Sequence, residues 1–191
     1  MRAAVACLVA SLLLAACATP PPGAAPPGRA ADDRPVPPSL SLFSSIRAPD
    51  GQEVALQLAA RGVQIFRCER IGNGFEWRFR QPDAELIDGQ GRPAGKHGAN
   101  FSFEHRDGSR LLGTVVAHDK ATSADTLPWL LLSVKSFGKG EFGGIDYVQR
   151  VNTQGGMPPA TCSADEHNRL LRVPFSADFV FYRPRTPSKP G

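Results

Sequence analysis

The run Phe75-Glu76-Trp77-Arg78-Phe79-Arg80 alternates aromatic and charged residues without a fault. Only an extended strand turns every second side chain to one face. The run is therefore read as a half-buried antiparallel strand, with Phe75, Trp77 and Phe79 inward and Glu76, Arg78 and Arg80 in solvent. Similar short-period text fills the chain from Ser39 to Arg183, where no amphipathic helix is legible.

Strands are expected at 53–60 and 63–68, broken at Gly62, then at 75–80 and 84–87. Segments 101–106 and 110–118 flank Asp107-Gly108-Ser109, and Asp-Gly is a strong hairpin signal. The stretch 129–134 is apolar apart from Ser133, as a central strand covered on both faces would be. Further strands are expected at 145–153 and 175–182, with one helical turn at 165–171. Eight or nine strands in about 145 residues predict an all-β fold, a single antiparallel sandwich or barrel-like domain with little helix.

Residues 1–17 read MRAAVACLVASLLLAAC. One cation, Arg2, precedes an apolar run too short for a transmembrane span of about 20 residues. The run ends in Leu14-Ala15-Ala16-Cys17, which resembles the lipobox of bacterial lipoproteins. That resemblance implies a signal peptide over 1–16, acylation of Cys17 and anchoring in a membrane, since two or more acyl chains hold stably where one does not. With Ala18 in place of Asp, the lipoprotein resemblance implies the outer rather than the inner membrane of a Gram-negative envelope, and the periplasmic face is favoured over the cell surface. Segment 17–38 is rich in proline and reads as an extended tether that spaces the body from the membrane. The body spans 39–183, and 184–191 reads as a disordered tail.

The formal charge of +4 belongs mostly to the ends. Arg2 carries one unit, Arg185 and Lys189 carry two, and 18–38 is balanced, which leaves +1 for 39–183. A body so near neutrality disfavours nucleic acid as a partner.

Four cysteines are encoded. Cys7 leaves with the leader and Cys17 accepts the lipid, so Cys68 and Cys162 are expected to form one disulfide in an exported protein. The alternative, a reactive Cys68 thiol, has no CxxC partner to support it.

No HExxH, CxxC or GxSxG motif is present, so no catalytic residue, metal or cofactor is assigned. A hairpin tip at Asp107-Gly108 places His105 opposite Arg110 and, if the ladder extends, His97 opposite His118. Two facing histidines with Asp119 or Glu104 would suit a metal. However, Gly95 and Gly98 are expected to interrupt that ladder, which leaves His97, His105, His118 and His167 as surface residues. The most unusual polar text is 147–156, where Gln149, Arg150, Asn152 and Thr153 precede Gly155-Gly156. With Trp129 these four are the candidate ligand-binding residues, the glycines admitting a ligand close to backbone. The structural alternative has Arg150 and Asn152 in solvent or tying down the following loop.

Several segments together resemble the bacterial and fungal domain-of-unknown-function family 3455. They are Arg61-Gly62-Val63-Gln64-Ile65-Phe66-Arg67-Cys68, Trp77-x-Phe79, Ala84-x-Leu86-x-Asp88-x-x-Gly91, Asp107-Gly108-Ser109, Pro128-Trp129-Leu130-Leu131-Leu132 and Gln149-Arg150-Val151-Asn152-Thr153-x-Gly155-Gly156. The resemblance runs from about Pro37 to Tyr182 and implies an exported β-rich domain, with no activity or catalytic residue to transfer. Where the family commonly continues its Gly-x-His motif with a Gly-Pro-Thr-Trp-like segment, this chain has Gly98-Ala99-Asn100-Phe101.

These readings favour a lipid-anchored envelope protein that binds a small ligand or an envelope component without catalysing a reaction. The alternatives are a hydrolase-like envelope enzyme with its site at 147–156 and a purely structural lipoprotein.

Overall fold

Gly62, where the first strand was expected to break, lies inside an uninterrupted one. The computed structural model describes residues 38–40, 44–120 and 123–186. The expected signal peptide 1–16, Cys17, the tether up to residue 37 and the tail beyond residue 186 lie outside the described residues. The strands are β1 (Gln52–Ile71), β2 (Gly74–Ile87), β3 (Pro93–Gly98), β4 (Ser102–His105), β5 (Arg110–Asp119), β6 (Trp129–Phe137), β7 (Tyr147–Gly155) and β8 (Leu170–Pro184). Each pairs with the next, and β8 returns to β1. The two architectures left open by the sequence thus resolve to a closed antiparallel barrel of eight strands.

At Gly62 the missing side chain serves packing. A Cβ there would sit on the Asp83 carbonyl oxygen and 2.5 Å from Ala84 Cα, so the glycine lets β2 close upon β1. The single helical turn expected at 165–171 is a 3-10 turn at Ala164–Glu166, closed by a capping box between Ser163 and Glu166. The expected tail starts late: β8 includes Pro184, and the Arg185 N–H donates to the Gly51 carbonyl.

Inward residues fill the barrel with aliphatic and aromatic side chains, among them Leu58, Leu86, Phe103, Leu132, Phe179 and Phe181. Phe103 meets Phe179 and Phe181 edge-on at 5.0 and 5.6 Å, while Phe142 stacks on Phe181 at 4.9 Å. Each such ring contributes about 1.5–3 kcal/mol on burial. A second cluster covers the outer wall, where Ile46 packs over Leu131, Val151, Val180 and Tyr182. This explains the continuous apolar text of β6: Leu130 and Leu132 face the interior and Leu131 lies beneath Ile46.

The barrel wall is uneven. β3 pairs with β2 only from Ala84 to Ile87, and β4 pairs with β5 only from Arg110 to Leu112. Beyond those points neither β2 nor β5 has a strand on that side, and a 3-10 turn at Ala99–Phe101 packs against both. Phe79 departs from the inward burial that its alternation predicts. Phe75 and Trp77 are half-buried, but Phe79 is 48% exposed, because that part of β2 is paired with β1 on one side and has no strand on the other.

Candidate functional site

The five candidates do not share a face. β7 alternates, so Gln149 turns to the outer wall and Arg150 to the inside. The Gln149 amide is fully buried, donating to the Ile46 carbonyl and accepting from the Tyr182 hydroxyl at 2.6 Å. Arg150 pairs with Phe179 and donates from Nε and Nη2 to the Pro128 carbonyl. Thr153 Oγ1 donates to the Leu127 carbonyl at 2.6 Å. Asn152 is exposed at φ 52°, a left-handed position that asparagine tolerates, and its amide donates to Asp178. Trp129 is half-buried against the outer cluster, its indole N–H without a partner.

Arg150 and Thr153 therefore hold the segment that enters β6, rather than the loop after β7. The paired glycines serve the same packing: a Cβ at Gly155 would come 2.7 Å from the Pro174 carbonyl oxygen, and one at Gly156 2.6 Å from Leu127 Cγ. They admit neighbouring protein. Gln149 and Tyr182 also border a polar hollow of about 650 Å³ with Arg47, Asp50, Gln52 and Arg185. Within it the Gln149 amide is already bonded at both ends.

The histidine geometry differs from expectation. Glu104 faces Arg110 and Phe103 faces Leu111, one residue off the predicted register, because His105 N donates to Ser109 O and closes a wider turn. His97 faces Ala84 and Phe103, not His118. Nor are all four histidines superficial, since His97 is 2% exposed and His105 8%. His97 stacks on Phe103 at 4.4 Å, and its Nδ1 is 2.9 Å from the Ser102 carbonyl. Burial pushes its imidazole down to about 4, the Ser102 bond opposes this, and the charge of Arg150 adds to it.

Asp107 organises the hairpin between β4 and β5. Its Oδ1 accepts from Ser109 N and Oγ at 2.8 and 2.5 Å, its Oδ2 accepts from Glu141 N at 2.8 Å, and His105 Nδ1 lies 2.9 Å from that Oδ2. The Ser109 hydroxyl, foremost among these donors, holds the carboxyl well below the usual range. A serine, an aspartate and a histidine thus meet, but in the wrong order for nucleophilic attack. The serine bonds the aspartate, Phe142 N donates to its oxygen, and the side chain is fully buried.

The gap between β2 and β5 presents a different surface. A hollow of about 360 Å³ is lined by Phe79, Pro82, Asn100, Phe101, Gly113 and Val115. Phe79 and Val115 are inward residues of their strands, yet they are 48% and 37% exposed. Asn100 and Phe101 stand at φ 56° and 50°. That region is ordinary for asparagine and costly for phenylalanine, and such strain recurs at sites of function. We call this opening the port. Sequence reasoning had marked Gly98-Ala99-Asn100-Phe101 only as a departure from the segment the family resemblance implies, not as an opening.

An eight-stranded meander closed on itself, with an apolar port in its wall, defines the class of an up-and-down barrel. The chain belongs to the family described as protein of unknown function DUF3455, which matches residues 49–183. No curated protein and no solved structure matches it.

Proposed function

We propose that the chain is a lipid-anchored protein of the bacterial envelope, held at the periplasmic face of the outer membrane through Cys17, whose barrel binds a small apolar ligand at the port. One observation carries the binding reading: inward-facing Phe79 and Val115 remain exposed around a hollow of about 360 Å³. That volume falls within the ordinary range of small-molecule sites, roughly 300–1,000 Å³. Burying exposed apolar surface there supplies the driving force. Blunted edges favour a compact ligand over an added strand. Pro82 lacks a donor on β2, and β5 is bulged between Val115 and Ala117.

A polarity-sensitive naphthalene dye tests the site on the full chain carrying Cys17→Ser. Saturable fluorescence that Phe79→Glu and Val115→Glu each abolish is the expected result. A dye response unchanged by either substitution argues against the port. The anchor is tested separately: radioactive palmitate should label the wild type and not Cys17→Ser, and only the variant should leave the membrane fraction.

A further inference from the structure

Two buried polar groups inside the barrel lack the partners their chemistry calls for. Arg150 is 6% exposed, and its bonds go to a neutral acceptor, the Pro128 carbonyl. Desolvation pushes its guanidinium down to about 10, and among the described residues no carboxylate offsets that cost. A buried cation without a counter-charge is costly, and an anion brought to it relieves the cost. Gln64 is 2% exposed, and its Nε2 has no hydrogen-bond partner.

Gln64 adjoins the port, and Arg150 lies deeper in the barrel behind it. Gln64 pairs across β1 and β2 with Pro82, which lines the hollow. From Phe101, another lining residue, contacts lead inward to Arg150. The Phe101 ring is 6.5 Å from that of His97, and His97 meets Phe179 edge-on at 4.9 Å. Phe179 is the cross-strand partner of Arg150, whose charge reaches His97. Phe101 closes this path in a left-handed conformation, flanked by Asn100 in the same region and by Ser102, whose carbonyl bonds His97. Moving Phe101 to an extended conformation would relieve the strain, and a head group reaches Arg150 once the buried His97 and Phe179 rings shift with it.

We infer that the ligand of the port is an amphiphile with an acidic head, a carboxylate on an apolar chain. Its chain lies against Phe79 and Val115, and its head passes Phe101 to accept hydrogen bonds from Arg150 and Gln64. This rests on the port being the binding site. A carboxylate accepts from a guanidinium and an amide at once, whereas an ester lacks the charge that Arg150 leaves unmatched.

The probes are dansyl-aminoundecanoic acid and its methyl ester, titrated at pH 7 into the full chain carrying Cys17→Ser. The acid should bind at least about tenfold tighter than the ester, and Gln64→Leu and Arg150→Met should each reduce that preference while sparing the ester. If Arg150→Met does not fold, the wild-type ratio and Gln64→Leu decide. Equal binding of acid and ester, lost in Phe79→Glu, overturns the head-group inference and leaves the port standing. Failure of both probes, together with no dye binding, overturns both.

Discussion

Arg150 donates from Nε and Nη2 to a single acceptor, the carbonyl oxygen of Pro128, at 3.3 and 2.9 Å. Thr153 reaches the preceding carbonyl, of Leu127, from the same strand. Together they strap the entry of β6 onto the barrel. Arg150→Ala strands the Pro128 oxygen and should cost about 1–3 kcal/mol. For a body of this size each kcal/mol lowers the melting temperature by about 2–4 °C. Asn152→Gly, at an exposed left-handed position, should leave the melting temperature nearly unchanged. Calorimetry on the two variants checks the contrast, and an unshifted Arg150→Ala would remove the strap from the account.

The disulfide between Cys68 and Cys162 closes 94 residues of sequence and ties the loop before β8 to β1. Beside it, Cys162 N donates to Phe75 O and Asn168 N to Cys68 O, so the covalent link reinforces a loop already bonded to the strands. The chain-entropy relation gives up to about 4–5 kcal/mol for such a closure. Cys68→Ala with Cys162→Ala should therefore unfold at markedly lower denaturant, and thiol titration of the oxidised body should find neither cysteine free. Free thiols at both positions would exclude the bond.

The sequence displayed faces better than exposures. The 75–80 alternation assigns the right sides, but whether Phe79 is covered depends on where β3 begins to pair, a long-range fact absent from the hexapeptide. Gly95 resembled a ladder breaker; in fact its missing side chain lets β4 approach, since a Cβ there would come 3.0 Å from His105 Cα. The hairpin tip was legible and its register was not, because Ser109 and Asp107 close a wider turn than the dipeptide alone implies. For the site, adjacency along β7 suggested a cluster, yet alternation sends Gln149 outward and Arg150 inward. The port is built from three separated segments, 79–82, 100–101 and 113–115, and no local pattern announces it.

His97 makes stability depend on pH. Its ordinary value of 6.5 falls to about 4 in the fold, chiefly by burial. The unfolded chain therefore takes up a proton that the native barrel refuses, and stability declines as pH falls from 6.5 toward 4. The full loss amounts to about 3 kcal/mol. Asp107 acts in a separate, lower window. Its depressed carboxyl stabilises the fold above the ordinary carboxylate range and stops doing so only as pH falls through its folded value. His97→Gln should flatten the melting profile between pH 6.5 and 4 and leave the more acidic limb intact. An unchanged slope in that variant would assign the effect elsewhere.

Gly62 fixes how closely β1 and β2 pack, and its replacement tests barrel closure directly. A Cβ added there meets backbone, with Ala84 Cα at 2.5 Å and the Asp83 carbonyl nearer still, and backbone inside a ladder cannot swing aside as a side chain would. Ala84 faces Gly62 across the pair, and both neighbours of Gly62 on its inward face, Ala60 and Gln64, are buried. Overpacking in such a site costs about 1–3 kcal/mol and more where backbone must shift. Gly62→Ala should therefore lower the melting temperature by several degrees or prevent folding, a cost that helix and strand propensities for alanine would not predict. Gly89→Ala is the control, since a Cβ there meets nothing within 4 Å. Because β2, which packs on β1 at Gly62, forms one side of the port, a folded Gly62→Ala should bind the naphthalene dye less tightly, whereas Gly89→Ala should match the wild type in both melting and binding. Equal melting temperatures for the two variants would mean that β2 can relax away from β1 at no cost, contrary to a tightly closed barrel.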